Sequence, residues 1–231
     1  MASILLVRHG QASFGAADYD QLSGIGEAQS LRLGEALAAN GETIDALWSG
    51  PMQRHRQTAQ GVLAGLQSAL APQWLDSLAE FDHREVILRH EPAYADHDSF
   101  VAMMQSRPDA RAAIAAMFRG AMARWVGGQF DADYSESWAA FQQRAQGALQ
   151  RLAQEAGGEQ RHLVVTSGGV ISVIVQSLLG LSTEKALDLN WRLANGGITR
   201  INVDARGRCN LHSLNEHAHF QGKHKHHLTW R

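Results

Sequence analysis

The sequence predicts an α/β fold with a largely parallel sheet, and three observations carry that prediction. Residues 4–7, ILLV, and 162–166, HLVVT, are the short apolar runs expected of strands buried on both faces. Each stops at a polar, glycine-containing turn, RHG at 8–10 and SGG at 167–169. Segments of helical spacing follow such turns and end at glycine or asparagine. With 231 residues there is room for one sizeable core, so a single domain over 1–231 is expected.

The elements follow in order. After ILLV and Ser23, GIGEAQSLRLGEALAAN reads as a helix with Ala28, Leu31, Glu35 and Ala38 on one side and Leu33 and Leu37 nearby, ended by Asn40 and Gly41. IDALWS at 44–49 is a second strand, and GPMQRHRQTAQGVLAGLQSAL opens a helix with Pro51 near its first turn, where a missing amide does least harm. WLDSLAE at 74–80 is a third strand. From about 81 to 133 the texture changes: FDHREVILRHEPAYADHD, SFVAMMQS and PDARAAIAAMFRGAMARWV read as a helical lid inserted in the domain, bounded by Gly127 and Gly128.

SESWAAFQQRAQGALQRLAQEAGG then places Trp138, Phe141, Ala145, Ala148, Leu149 and Leu152 near helical spacing. HLVVT, the helix GVISVIVQSLLG, a short helix around TEKALDLNW and a hairpin of ITRINVD and CNLHSL complete the chain. Trp125, Trp138 and Trp191 are expected in core or lid packing.

Composition excludes several classes of function. Against 23 Asp and Glu there are 21 Lys and Arg, a formal charge of −2, so no global field recruits nucleic acid or an anionic membrane. The first apolar run spans four residues, too few for a signal peptide or a membrane span, and a cytoplasmic location is expected. Cys209 has no partner for a disulfide and reads as an ordinary strand residue. In RHEPAYADHD no second His stands four residues on, and Pro92 interrupts the helix a zinc-protease motif needs. HAHFQGKHKHH at 217–227 reads as a polar terminal segment. No metal and no cofactor is expected.

Sharper chemistry gathers where strands end, because loops and helix N-termini there form anion sites in open α/β sheets. His9 sits in a tight turn beside Arg8; a neutral imidazole can attack phosphorus, and a neighbouring cation favours the neutral form while binding phosphoryl oxygens. A structural histidine explains RHG equally well when it stands alone. In SGPMQRHRQTA, Arg54 falls in the first turns of a helix, where a second guanidinium completes a clamp on a tetrahedral dianion. Glu80, in LAEF, is placed at a strand end as a carboxylic acid able to protonate a leaving alkoxide. Taken singly, Arg54 and Glu80 read as solvated surface charges, and it is their order with RHG that argues for a site.

Together, VRHGQ with LSGIGEAQSLRLGEAL, SGPMQRHRQTA and the LAE triplet resemble the histidine phosphatase superfamily, also called phosphoglycerate mutase-like, over nearly the whole chain. The resemblance implies a three-layer α/β/α sandwich, a transient phosphohistidine on His9, phosphoryl binding by Arg8 and Arg54, and Glu80 as proton donor. It also implies a small phosphorylated substrate or phosphate as partner, without nucleic acid or membrane. The mutase subtype is a poorer match, since RHGQASFGAADYD departs from its usual continuation.

In one place the sequence departs from the family: relatives usually carry HGG after the fourth strand, and here the first of these residues is Ser167, followed by Gly168 and Gly169. A nucleophile elbow is not formed, because position 165 is Val. Ser167 is read as a helix cap that also touches phosphate alongside Gly168, with a purely structural cap as the remaining alternative. Losing one transition-state donor costs about 2.7–4 kcal/mol, roughly 100- to 1000-fold in rate. The expected protein is therefore a phosphomonoesterase of reduced turnover, the alternative a phosphate-ester binding or regulatory protein of the same fold. His55, His83, His217 and His219 are candidates to compensate, none assigned; if Ser167 alone limits the rate, Ser167→His is expected to raise turnover, whereas unchanged turnover would mean a reorganised pocket. Arg84, Arg89, His90 and Arg107 are candidates for reading a second acidic group, with plain surface exposure as the alternative.

Overall fold

A computed structural model describes residues 1–13, 20–96, 98, 102–103 and 106–230. The chain forms two compact units, Met1–Glu80 with Arg144–Arg231, and Phe81–Gln143. Expected helical residues of SFVAMMQS at 99–101 and 104–105, and residues 14–19 of RHGQASFGAADYD, lie outside the described residues.

In the first unit a six-stranded sheet has the order β3-β2-β4-β1-β5-β6. The strands are β1 (Ala2–Arg8), β2 (Ala46–Ser49), β3 (Gln73–Trp74), β4 (Arg161–Thr166), β5 (Ile198–Val203) and β6 (Cys209–Glu216). β1 to β4 run parallel, while β5 and β6 form the expected antiparallel hairpin. Arg8 pairs with Thr166, so the turns after β1 and β4 leave the sheet side by side. Parallel strands end on the same edge, and two motifs 158 positions apart in sequence, His9 and Ser167, become neighbours.

Helices α1 (Gly24–Ala39) and α2 (Gln53–Leu66) cover one face, where Leu5, Val7, Leu47, Leu163 and Val165 pack with Leu33, Leu37, Ala59 and Val62. The pleat turns Ile4, Leu6 and Val164 to the other face, and they are fully buried as well. Two further helices of the unit, Gly168–Leu179 and Thr183–Arg192, follow β4.

α1 corrects one expectation. Its buried side is Gly26, Gln29, Ser30, Leu33, Gly34 and Leu37, whereas Leu31, Glu35 and Ala38 face outward. The reason is close helix packing: a Cβ on Gly34 would lie 2.2 Å from the Val62 carbonyl oxygen. A hydrophobicity pattern does not register a face built from small residues.

The third strand is also shorter than expected. Ser49 is the last residue of β2 and accepts a 3.0 Å bond from the Leu75 amide, so residues beyond it have no ladder to join. They wind into a short 3-10 turn, Asp76–Leu78.

The second unit contains α3 (His83–His90) and α4 (Ala110–Val126), and α5 (Trp138–Glu155) begins there and ends in the first unit. Its core is aromatic: the Phe81, Trp138 and Phe141 rings lie 4.8, 5.1 and 5.8 Å from Trp125. Trp125 and Trp138 are packed as expected. Trp191 is not, being 59% exposed, because the Thr183–Arg192 helix buries only Ala186. Among the described residues no helix is long and apolar enough to cross a membrane.

Candidate active site

The turn after β1 is tied down from three sides. The His9 amide donates to Thr166 O at 2.9 Å, Asn195 Nδ2 donates to His9 O at 3.2 Å, and the Gly10 amide donates to Thr58 Oγ1 at 3.0 Å. His9 is itself buried, and its Nδ1 lies 2.7 Å from Gly10 O. A carbonyl oxygen only accepts, so Nδ1 carries the proton and Nε2 holds the lone pair. The Arg54 Nε–H donates to that lone pair at 3.2 Å. Burial, then the charge of Arg54, then His55 and Arg8 hold the His9 pKa well below 6.5, and the ring is neutral at pH 7.

Arg54 is the second residue of α2, with Met52 as the capping residue and Pro51 just before it. Its Nη1 contacts Asp20 Oδ1 at 2.6 Å, while Asp20 Oδ2 accepts from the Gln53 amide at 2.8 Å. Arg8, the last residue of β1, donates from Nη1 to Leu193 O.

β4 delivers Ser167, which takes the capping position of α6 (Gly168–Leu179). Its backbone is that of a cap, but its hydroxyl makes no capping bond, which corrects the expected role. Ser167 Oγ lies 2.7 Å from His55 Nε2, and both residues are fully buried. His55 follows Arg54 on α2, and its ring centroid is 5.6 Å from that of His9. Gly168 opens α6, and a Cβ placed on it would lie 3.5 Å from Arg8 Nε and 2.2 Å from Asn190 Oδ1. Asn190 belongs to α7 (Thr183–Arg192).

Glu80 stands beyond the Asp76–Leu78 turn, not at a strand end. Three long-range bonds bring its segment to the site: Thr166 Oγ1 donates to Leu78 O at 2.7 Å, and Arg144 Nη1 donates to Ser77 O at 2.9 Å and to Ala79 O at 2.7 Å. Glu80 Oε2 then accepts from the Gly169 amide at 2.9 Å. A Cβ at 169 would sit 2.2 Å from Glu80 Oε1, so any residue other than glycine there displaces that carboxyl.

Thus Arg8, His9, Arg54, Glu80, Ser167 and Gly168 meet at one edge of the sheet, in an arrangement with a nucleophilic nitrogen, two guanidinium groups and a carboxyl. The sequence pattern of the Histidine phosphatase superfamily (branch 1) matches residues 4–217. The chain belongs to this superfamily.

No curated protein is recognisably similar to this histidine phosphatase family member. Among solved structures, a phosphoserine phosphatase variant of Entamoeba histolytica in complex with phosphoserine has 18% identity and TM-score 0.64, over 95% of this chain and 99% of that one. An α-ribazole phosphatase of Shigella flexneri has 20% identity and TM-score 0.61, over 93% and 96%. A phosphoglycerate mutase of Bacillus anthracis has 19% identity and TM-score 0.62, over 94% of each chain. These likenesses establish the shared fold.

Of the four histidines considered as compensating groups, His55 alone is in contact with Ser167 in the first unit. His217 Nδ1 and His219 Nε2 bond to Asn215 O at 2.6 Å and Gly196 O at 3.1 Å, and His83 opens α3 in the other unit. Sequence reasoning missed Asp20, Thr58, Arg144, Thr166 and Asn195, since nothing local marks a side chain that bonds a distant backbone. The polar 217–227 segment packs onto the fold: Phe220 is fully buried, and Thr229 just beyond donates to Asn195 Oδ1 at 2.9 Å.

Proposed function

We propose that the protein is a phosphomonoesterase that works through a phosphohistidine on His9. One observation carries this reading: within a histidine phosphatase fold, the His9 ring is buried with Nδ1–H bonded to Gly10 O, which leaves the Nε2 lone pair directed at Arg54. In the first step Nε2 attacks phosphorus, the ester P–O bond breaks, and Glu80 gives its proton to the departing alkoxide. In the second, water attacks the phosphohistidine, Glu80 takes its proton, and phosphate leaves with the Nε2 lone pair restored. Arg8 and Arg54 bind the phosphoryl oxygens, with Arg54 exchanging its His9 contact for the anion. Ser167 occupies the place of the second histidine of relatives, and lower turnover is the consequence.

Rapid quenching with a phosphorus-labelled small ester tests this. The expected result is an acid-labile, base-stable label that disappears in His9→Ala. Binding of phosphate without any such label would favour the alternative of a phosphate-ester binding or regulatory protein.

A further inference from the structure

The contact between His55 and Ser167 joins residues 112 positions apart, in the interior and beside the nucleophile. Neither side chain serves the structure in the usual way. The Ser167 hydroxyl makes no bond to the amides of the helix it precedes, the Gly169 amide going to Glu80 instead, and His55 Nδ1 is buried with no hydrogen-bond partner. The ring is pressed against Gly50, where a Cβ would lie 2.3 Å from Nδ1.

The orphaned Nδ1 decides the direction of the bond. If Nδ1 carried the proton, a buried N–H would lack an acceptor, a rare and costly state; an unused lone pair costs less. The proton is therefore on Nε2, and the hydroxyl oxygen accepts it. Burial and the nearby Arg54 charge hold His55 neutral, which keeps this single-proton form. Ser167 is left with its own O–H to give away, strengthened as a donor because its oxygen accepts a bond.

We propose that His55 Nε2–H and the Ser167 hydroxyl form a two-residue hydrogen-bond relay that donates to a phosphoryl oxygen, doing jointly what the second histidine does in relatives. The idea rests on the phosphatase reading for its substrate, although any tetrahedral oxyanion can report on it. His55 is a positioning residue here, acting through Ser167. The relay also changes the expected outcome of Ser167→His: with Nε2 2.7 Å from Oγ, an imidazole at 167 would overlap the His55 ring.

The test is calorimetric binding of orthovanadate to the wild-type protein, His55→Ala, His55→Gln, Ser167→Ala and the double alanine variant. Ser167→Ala should weaken binding by about tenfold or more, the value of a hydrogen bond to a charged group. His55→Ala should weaken it less, the double variant should match Ser167→Ala, and His55→Gln, whose amide N–H falls near the place of Nε2–H, should recover most of the loss. Two fully additive losses, a harmless His55→Ala, or a glutamine variant no better than alanine would overturn the relay. Nitrogen-15 NMR of the unaltered protein gives an independent answer if His55→Ala does not fold: a proton on Nε2 is expected, and one on Nδ1 refutes the assignment. A base-labile, acid-stable phosphate label on Ser167 would make the hydroxyl a nucleophile and also sink the proposal. Loss of the His9 label with vanadate coupling intact would instead remove the phosphatase reading and leave the relay standing.

Discussion

Two contacts between an arginine and an aspartate, Arg54 with Asp20 and Arg107 with Asp109, have similar lengths, 2.6 and 2.9 Å. The Arg54 side chain is 5% exposed, whereas those of Arg107 and Asp109 are 50% and 57% exposed. The contrast extends to the regions around them. Among the described residues of the Phe81–Gln143 unit, Arg89 pairs with Glu85 one helical turn away at 3.4 Å, Arg107 with Asp109 two positions on, and Arg124 with Asp133 nine positions on. At the strand ends of the first unit the partners are distant in sequence: Arg54 with His9, His55 with Ser167, Gly169 with Glu80. Both regions are rich in arginine and histidine, but water screens the first set, while burial forces the second into a few arrangements in which every group matters.

His9→Ala breaks the comparison most severely and should lower turnover of an aryl phosphate by about a thousandfold or more, as for loss of a nucleophile elsewhere. Gly169→Ala comes next. The new Cβ meets the far end of a flexible side chain, so the fold should survive while Glu80 is pushed aside, and turnover should fall about 100-fold, the usual share of a general acid. Ser167→His alone should destabilise by about 1–3 kcal/mol through overpacking, and His55→Ala added to it should restore Tm in thermal melts.

The pH dependence of stability sharpens the contrast further. His9 and His55 stay neutral when folded but protonate near 6.5 when unfolded, so their stabilisation is complete above pH 6.5 and is lost as pH falls below it. Each contributes a slope of about 1.4 kcal/mol per pH unit in that window, and His55→Gln should remove one such share in urea titrations at pH 5 and 7. His219, pushed down to about 4 by burial, adds to the same trend. Smallest of all, Arg107→Ala should leave aryl phosphate turnover and Tm unchanged, since both members of its ion pair are solvated. A large loss there would show that the two regions are not as different as their burial suggests.

Much of the fold was legible because continuous apolar runs such as ILLV and HLVVT need burial on both faces whatever surrounds them. The inward side of α1 was not, because Gly26, Ser30 and Gly34 pack by being small. Glu80 was expected at a strand end and stands beyond a 3-10 turn instead, since a strand's length depends on its neighbour's, and β2 stops at Ser49. Ser167 was singled out from the sequence, while its partner could not be chosen among four histidines.

The sequence by itself determined the strand-turn-helix grammar, the residue types at each strand end and the family pattern, because these rest on short-range periodicity and turn chemistry. Tertiary structure alone decided which strands lie side by side, which imidazole meets the Ser167 hydroxyl, and which lone pair on His9 is available. Those outcomes depend on hydrogen bonds between residues many positions apart, and only the closed, water-excluding fold selects one set of partners for them.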